Sequence, residues 1–300
     1  MGPGGGRGLD LTASVGCKAV QPLVMGIVNV TPDSFSDGGR FVHVPDAVAH
    51  GLALAAEGAD IVDVGGESTR PGAAPVDVDE ELARVVPVVE ALAAHTRVSV
   101  DTAKPEVARA AAAAGASLLN DVTASLDEVA AECDLAWIAM HMQGEPRTMQ
   151  LEPSYDDVVE EVSAYLEAQA RRAADRGVHE VWIDPGIGFG KTFAHNWALL
   201  AALPQLCDLG FPVAVGTSRK RFLGALAAAD EGTEPPADDR LEGSVATALL
   251  AAQAGVGLLR VHDVAATVSA LEAAGLRADR TDGRSTEGVD LEPMEANRWP

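Results

Sequence analysis

Cysteine is scarce in this chain of 300 residues. Cys17, Cys133 and Cys207 are odd in number and widely scattered. They show no metal-ligand spacing and cannot make a disulfide framework, so a reduced, cytoplasmic protein is expected. Aromatic residues make up 4% of a sequence that is 47% hydrophobic. The core must therefore be built from Ala, Val and Leu, which suit close-packed helices and strands buried on both faces. Basic charge is short as well. Lys and Arg total 22 against 45 Asp and Glu, a formal net charge of −23. Nucleic acid and acidic membrane surfaces are poor partners for such a field, because both bind mainly through basic side chains. Long apolar runs are missing too. Leu241–Leu259 comes closest, but Glu242 and Gln253 interrupt it, and its alanines fit a buried helix better than a membrane span. The opening MGPGGGRG carries no apolar signal region.

What is present is a repeating grammar. A short apolar run ends in polar residues, an Ala-rich amphipathic stretch follows, then Gly, then the next run. The runs are Val24–Val28, Asp60–Val64, Arg97–Val100, Ser117–Leu119, Ala136–Met140, Glu180–Ile183, Pro212–Val215 and Val256–Leu259. Eight strands alternating with helices over about 250 residues predict an α/β fold, a single-domain (β/α)8 TIM barrel. An open doubly wound sheet would want an early G-x-G-x-x-G turn, and none occurs. The barrel is expected over residues 21–275, between a mobile tail at 1–20 and a disordered acidic tail at 276–300.

In such a barrel the active site lies at the C-terminal ends of the strands. Those ends read Asn29, Glu67–Arg70, Asp101, Asn120–Asp121, His141, Asp184, Ser218–Lys220 and Arg260–His262. Singly, each is an ordinary turn or cap residue; eight together are harder to dismiss. Asp101, Asn120 and Asp184 suit a flat heterocycle with N–H donors, which an amide and carboxylates can read edge-on. Arg70, Lys220, Arg260 and His262 supply cationic groups, the last three from strands whose loops often hold phosphate in this fold. The stretch Asp184–Lys191 is Gly-rich but misses the P-loop spacing by one residue. It reads as a loop whose glycines let a ligand approach the backbone, with Phe189 lining the pocket. His195 reads as a helix-start residue. The polar loop 31–39 after the first strand is longer than a simple turn and reads as a lid with Asn29 at its root.

These residues sit in stretches that resemble one family. VMGIVNVTPDSFSDGG and GADIVDVGGESTRPGA are similar to the two signature segments of the dihydropteroate synthases, the folate-pathway enzymes inhibited by sulfonamides. The likeness continues through VSVDT, LLND, HMQGEPRTMQ, IDPGIGFGKT, GTSRKRFLG and RVHDV, in order, from Val24 to about Ala274. It implies condensation of 6-hydroxymethyl-7,8-dihydropterin diphosphate with 4-aminobenzoate, giving 7,8-dihydropteroate and pyrophosphate.

By the same resemblance Asp101, Asn120, Asp184 and Lys220 hold the pterin, with Thr69, Arg260 and His262 on its diphosphate. Asp101, Lys220, Arg260 and His262 carry the chemistry. Thr69, Arg70, Pro71, Phe189 and Ser218 frame the 4-aminobenzoate. Mg2+ is the implied cofactor, bound by Asn29, with Asp37 as a second contact. A homodimer through the last helices is the implied assembly. The chain departs from the family after Asn120-Asp121-Val122. Many members continue with Ser or Thr and two glycines, whereas Thr123-Ala124-Ser125 stands here. The alternative reading is a catalytically silent pterin-binding paralogue, which would show losses in the first loop, at Arg70 or in Ser218–Lys220.

Overall fold

The computed structural model describes residues 21–31, 44–68, 74–145, 148–225 and 236–278. Eight parallel strands run β1 (Leu23–Asn29), β2 (Ile61–Gly65), β3 (Arg97–Asp101), β4 (Leu118–Asp121), β5 (Ala136–Met140), β6 (Val181–Asp184), β7 (Ala214–Val215) and β8 (Leu258–Val261). Their order is β6-β5-β4-β3-β2-β1-β8-β7. A parallel bridge between Ile183 and Val213 joins the two ends, and the sheet becomes the expected (β/α)8 barrel. Between the strands lie α1 (Val44–Ala56), α2 (Val78–Ala93), α3 (Pro105–Ala113), α4 (Asp127–Glu132), α5 (Val158–Asp175), α6 (Phe193–Ala201) and α7 (Leu203–Cys207). A helix α8 occupies 221–225 of the described chain. After it come α9 (Leu241–Gln253) and α10 (Val264–Ala273).

Side chains satisfy free N–H groups at the starts of α2, α5 and α6. Asp77 caps α2 by accepting from Glu80 N at 2.8 Å, and Asp157 caps α5 through Val159 N and Glu160 N. Thr192 and His195 form a reciprocal capping box at α6, the helix-start role expected for His195. Pro105 opens α3, where its missing N–H costs nothing.

Two apolar layers follow from the period-two alternation of the strands. Outward residues such as Val28, Val62, Val64, Val98 and Val100 pack on the helices. Inward residues Met25, Ile61, Leu118, Ala136, Ile138, Trp182, Ala214 and Leu258 fill the barrel interior. On β2, β3 and β4 the same inward alternation continues into Asp63, Asp101 and Asn120 near the C-terminal end. Several strands therefore extend one or two residues beyond their expected ends. Asn29, Asp101, Asn120, Asp121, Asp184 and Arg260 belong to strands and do not merely follow them. A polar residue inside a barrel strand looks like a strand end when only hydropathy is read. At the opposite end of the barrel, Arg277 is buried and pairs with Asp60 through both ends of its guanidinium. No described helix is long and apolar enough to cross a membrane.

Candidate active site

The strand ends converge on a charged floor. Arg260 on β8 donates from Nε to Asp63 Oδ2 at 2.6 Å and from Nη2 to Asp101 Oδ2 at 2.7 Å. Asn120 on β4 donates from Nδ2 to the same Asp63 oxygen at 3.1 Å. Four strands are thus tied by one guanidinium, two carboxylates and an amide. Burial raises the Asp101 pKa to about 7, with Arg260 opposing the rise and Asp63 and Glu81 adding to it. Burial also works against the charge of Arg260, but Asp63 and Asp101 more than offset it.

Asp184 closes the next wall. It is buried, which raises its pKa, while the N–H of Gly186 and the lysines Lys220 and Lys191 pull the other way. Gly186 N donates to Asp184 Oδ1 at 2.7 Å. The loop 185–190 then folds tightly over the end of β5. Gly186 has φ +63, and a Cβ there would lie 1.9 Å from the carbonyl oxygen of His141. Only glycine fits. The loop is held from outside by Gln150 on Gly188 O and Tyr155 on Gly190 O. From inside it is held by Lys191, whose ammonium reaches His141 Nδ1 (2.9 Å), His141 O (3.2 Å) and Phe189 O (3.0 Å). Burial lowers the Lys191 pKa to about 7. Burial and the facing Lys191 lower that of His141 to about 3, so the imidazole is neutral and accepts at Nδ1. The result of this bracing is the placement of Phe189, whose ring centre lies 4.0 Å from Lys220 Nζ. Burial and Arg260 lower the Lys220 pKa to about 8, with Asp184 and Asp101 opposing.

Ser218 and His262 meet directly. Ser218 Oγ accepts from the His262 backbone N–H at 3.2 Å and lies 3.0 Å from Nδ1. The hydroxyl can donate to Nδ1, which leaves the ring proton on Nε2. Burial, Arg260 and Arg219 lower the His262 pKa to about 3, so this residue is a neutral imidazole and not the cation its position suggested. Between Ser218 and Lys220, Arg219 adopts φ +59, a conformation unfavourable for a side-chain-bearing residue. It is clamped there by Ser244 on its N–H, Arg240 on its carbonyl and Asp263 on its guanidinium. This twist lets neighbours on both sides face the pocket.

Asn29 ends β1, half-buried at the barrel mouth. Thr69, Arg70, Pro71 and Asp37 lie outside the described residues. The root of the segment carrying the first three is well braced. Arg84 donates to Gly66 O at 2.7 Å, and Lys104 pairs with both Glu67 and the fully buried Glu81. Glu81 also accepts from Thr102 at 2.7 Å. Ala124, in the stretch where the sequence departs from the pattern it resembles, has φ +49. The turn keeps its shape because Asp121 accepts from the N–H groups of Thr123, Ser125 and Leu126 and from Trp137 Nε1.

Asp101, Asn120, Asp184, Phe189, Ser218, Lys220, Arg260 and His262 are therefore gathered at one end of the barrel. Sequence reasoning missed Asp63, and it missed how Lys191 and His141 combine. A charged residue interrupting the apolar run of β2 was the available signal for Asp63. Only the fold could reveal the Lys191–His141 pair.

Known proteins resemble this chain in sequence and in fold. The family model described as "Pterin binding enzyme" matches residues 25–262. The dihydropteroate synthase of Escherichia coli K12 is 47% identical over 274 residues, covering 89% of this chain and 92% of that one. Dihydropteroate synthase of Xanthomonas albilineans, solved with 4-aminobenzoic acid, is 52% identical with a TM-score of 0.79. That alignment covers 86% of this chain and 93% of the other. The same enzyme in complex with 7,8-dihydropteroate superposes with a TM-score of 0.76 at 49% identity, covering 86% and 94%.

Proposed function

Because the chain belongs to the dihydropteroate synthase family of pterin-binding enzymes, we propose that this transferase joins 6-hydroxymethyl-7,8-dihydropterin diphosphate to 4-aminobenzoate. The products are 7,8-dihydropteroate and pyrophosphate. One observation carries the reading: Asp101, Asn120 and Asp184 converge with Lys220 and Arg260 at one strand-end cluster. A flat ring rich in N–H groups and an attached anion match that combination.

The bond between the pterin CH2 and its diphosphate oxygen breaks, and the oxygen keeps both electrons. The cation left on the CH2 is delocalised into the ring nitrogens. Ionised Asp101 stabilises it across the pocket. Arg260 holds the departing oxygens, His262 donates to them from Nε2, and Lys220 stays on the pterin with Asn120 and Asp184. The amine of 4-aminobenzoate attacks the carbon, and its extra proton leaves to the diphosphate or to solvent. The amine is already nucleophilic, so no strong general base is required. Phe189 and Ser218 position this substrate, together with Thr69, Arg70 and Pro71.

Mg2+ fits the donor set. No group of three or more His, Cys, Asp or Glu converges to hold a metal among the described residues. Asn29 offers a single hard oxygen at the pocket mouth, and Mg2+ commonly takes one or two protein oxygens and completes its shell with phosphate and water. Asn29 would hold it, with Asp37 as a second contact, and the ion would neutralise charge building on the diphosphate. The reading extends to a cytoplasmic homodimer through the last helices, where Leu250 on α9 is exposed.

The test is steady-state formation of dihydropteroate from the two substrates with Mg2+, before and after EDTA. Turnover lost on chelation and restored by added Mg2+ is expected. A folded protein that binds a pterin without turning over would instead be a silent binding module.

A further inference from the structure

Asp63 sits at the middle of the site, yet the chemistry just described makes no use of it. Its side chain has no exposed surface, so it acts on a ligand only through its neighbours. One oxygen, Oδ2, accepts from both Arg260 Nε at 2.6 Å and Asn120 Nδ2 at 3.1 Å. The other, Oδ1, has no hydrogen-bond partner among the described residues. Ser99 Oγ, at the same register on the adjacent strand β3, is likewise buried and unpartnered.

An ionised carboxylate only accepts hydrogen bonds. Against it, Asn120 must turn its NH2 group inward, and its carbonyl oxygen is then left to face the ligand. Arg260 is caught edge-on between two carboxylates, Asp63 at Nε and Asp101 at Nη2, which fixes the plane of its guanidinium. An Asn120 free to flip, or an Arg260 free to rotate, would present a different pattern to the same ring.

We infer that Asp63 is a positioning residue for the proposed reaction, setting which end of the Asn120 amide faces the pterin and the plane in which Arg260 meets Asp101. This rests on the dihydropteroate synthase reading. It adds a specificity rule to that reading, because the pterin edge opposite Asn120 must present an N–H. A carboxylate that served only to hold the barrel together would affect both substrates alike, or neither.

Asp63→Asn and Asp63→Ala separate these cases. In Asp63→Asn the oxygen can still accept from Arg260 and Asn120, while the new NH2 reaches the side of Ser99. Thermal melts establish that each variant folds. Kinetics with both substrates and binding of 6-hydroxymethylpterin, followed by its fluorescence, supply the readouts. Asp63→Ala is expected to lower kcat about 100-fold and weaken pterin binding about 10-fold. Asp63→Asn should recover about 10-fold of that kcat, and the KM for 4-aminobenzoate should stay within about twofold in both. If Asp63→Ala does not fold, Asp63→Asn decides alone, with reduced kcat and pterin affinity at unchanged 4-aminobenzoate KM. Wild-type kcat and pterin affinity in a folded Asp63→Asn would overturn the assignment. So would an equal loss for both substrates, or an Asp63→Asn no better than a folded Asp63→Ala. A wild-type protein without turnover removes the reaction, not this inference, since pterin binding by the variants still decides it.

Discussion

Replacing Gly186 by alanine tests whether the Gly-rich loop works by close backbone approach. The added methyl carbon would lie 1.9 Å from His141 O, where real contacts stay beyond 3.0 Å. Either the loop or the end of β5 must then shift by about 1 Å, since neither neighbour is a flexible side-chain tip. The left-handed φ of +63 adds about 1–2 kcal/mol for a residue with a Cβ. Overpacking adds about 1–3 kcal/mol, and the stiffer unfolded chain returns about 0.4–1 kcal/mol. The expected net destabilisation is about 2–4 kcal/mol. Gly177→Ala is the control. Its φ is +89 but a Cβ there meets nothing within 4 Å, so it should cost about 1 kcal/mol. Urea unfolding followed by tryptophan fluorescence measures both. Activity should separate them further. The His141 carbonyl also receives Lys191, and the His141 N–H donates to Asp184 O at 2.9 Å. A 1 Å shift there moves Asp184 and Phe189 together, for a loss of about 100-fold in kcat/KM. Gly177→Ala should leave activity unchanged. If the two variants matched in stability and rate, the close-approach argument would fail.

Two other expectations concern charge and backbone. Burial raises the Asp101 pKa from 3.8 to about 7 in the folded protein. If its ionised form drives the reaction, kcat/KM should rise with pH through about 7; a profile flat from pH 5.5 to 8 would exclude that role. For stability the sign is opposite. The raised pKa contributes fully below about pH 4, and that contribution is lost as pH rises through 7, which urea melts at pH 5 and 8 can measure. Ala124 is buried at φ +49, so Ala124→Gly relieves a strained backbone while losing a methyl contact. A change within about 0.5 kcal/mol is expected, against about 1.5 kcal/mol for Ala136→Gly in β5. Equal costs at the two sites would show that Ala124 is not strained.

The chain by itself determined the kinds of element and their order. Period-two runs such as Val24–Val28 and Ala136–Met140, each followed by an Ala-rich helix, leave little choice but a parallel barrel, because strands buried on both faces need helices outside. It also determined that polar residues collect at the strand ends, since each end is a local pattern. Strand lengths were legible only in part. Asp101, Asn120 and Asp184 point inward within strands, and hydropathy alone reads an inward carboxylate as a stop. What the tertiary structure decided is pairing and protonation. Asp63 and Arg260 lie 197 positions apart, and Lys191 and His141 lie 50 apart. Nothing local to either residue announces its partner. His262 is neutral and Asp101 is held near neutrality because burial and neighbouring charges from other strands set the cost of ionisation. Those costs come into being only when the barrel closes.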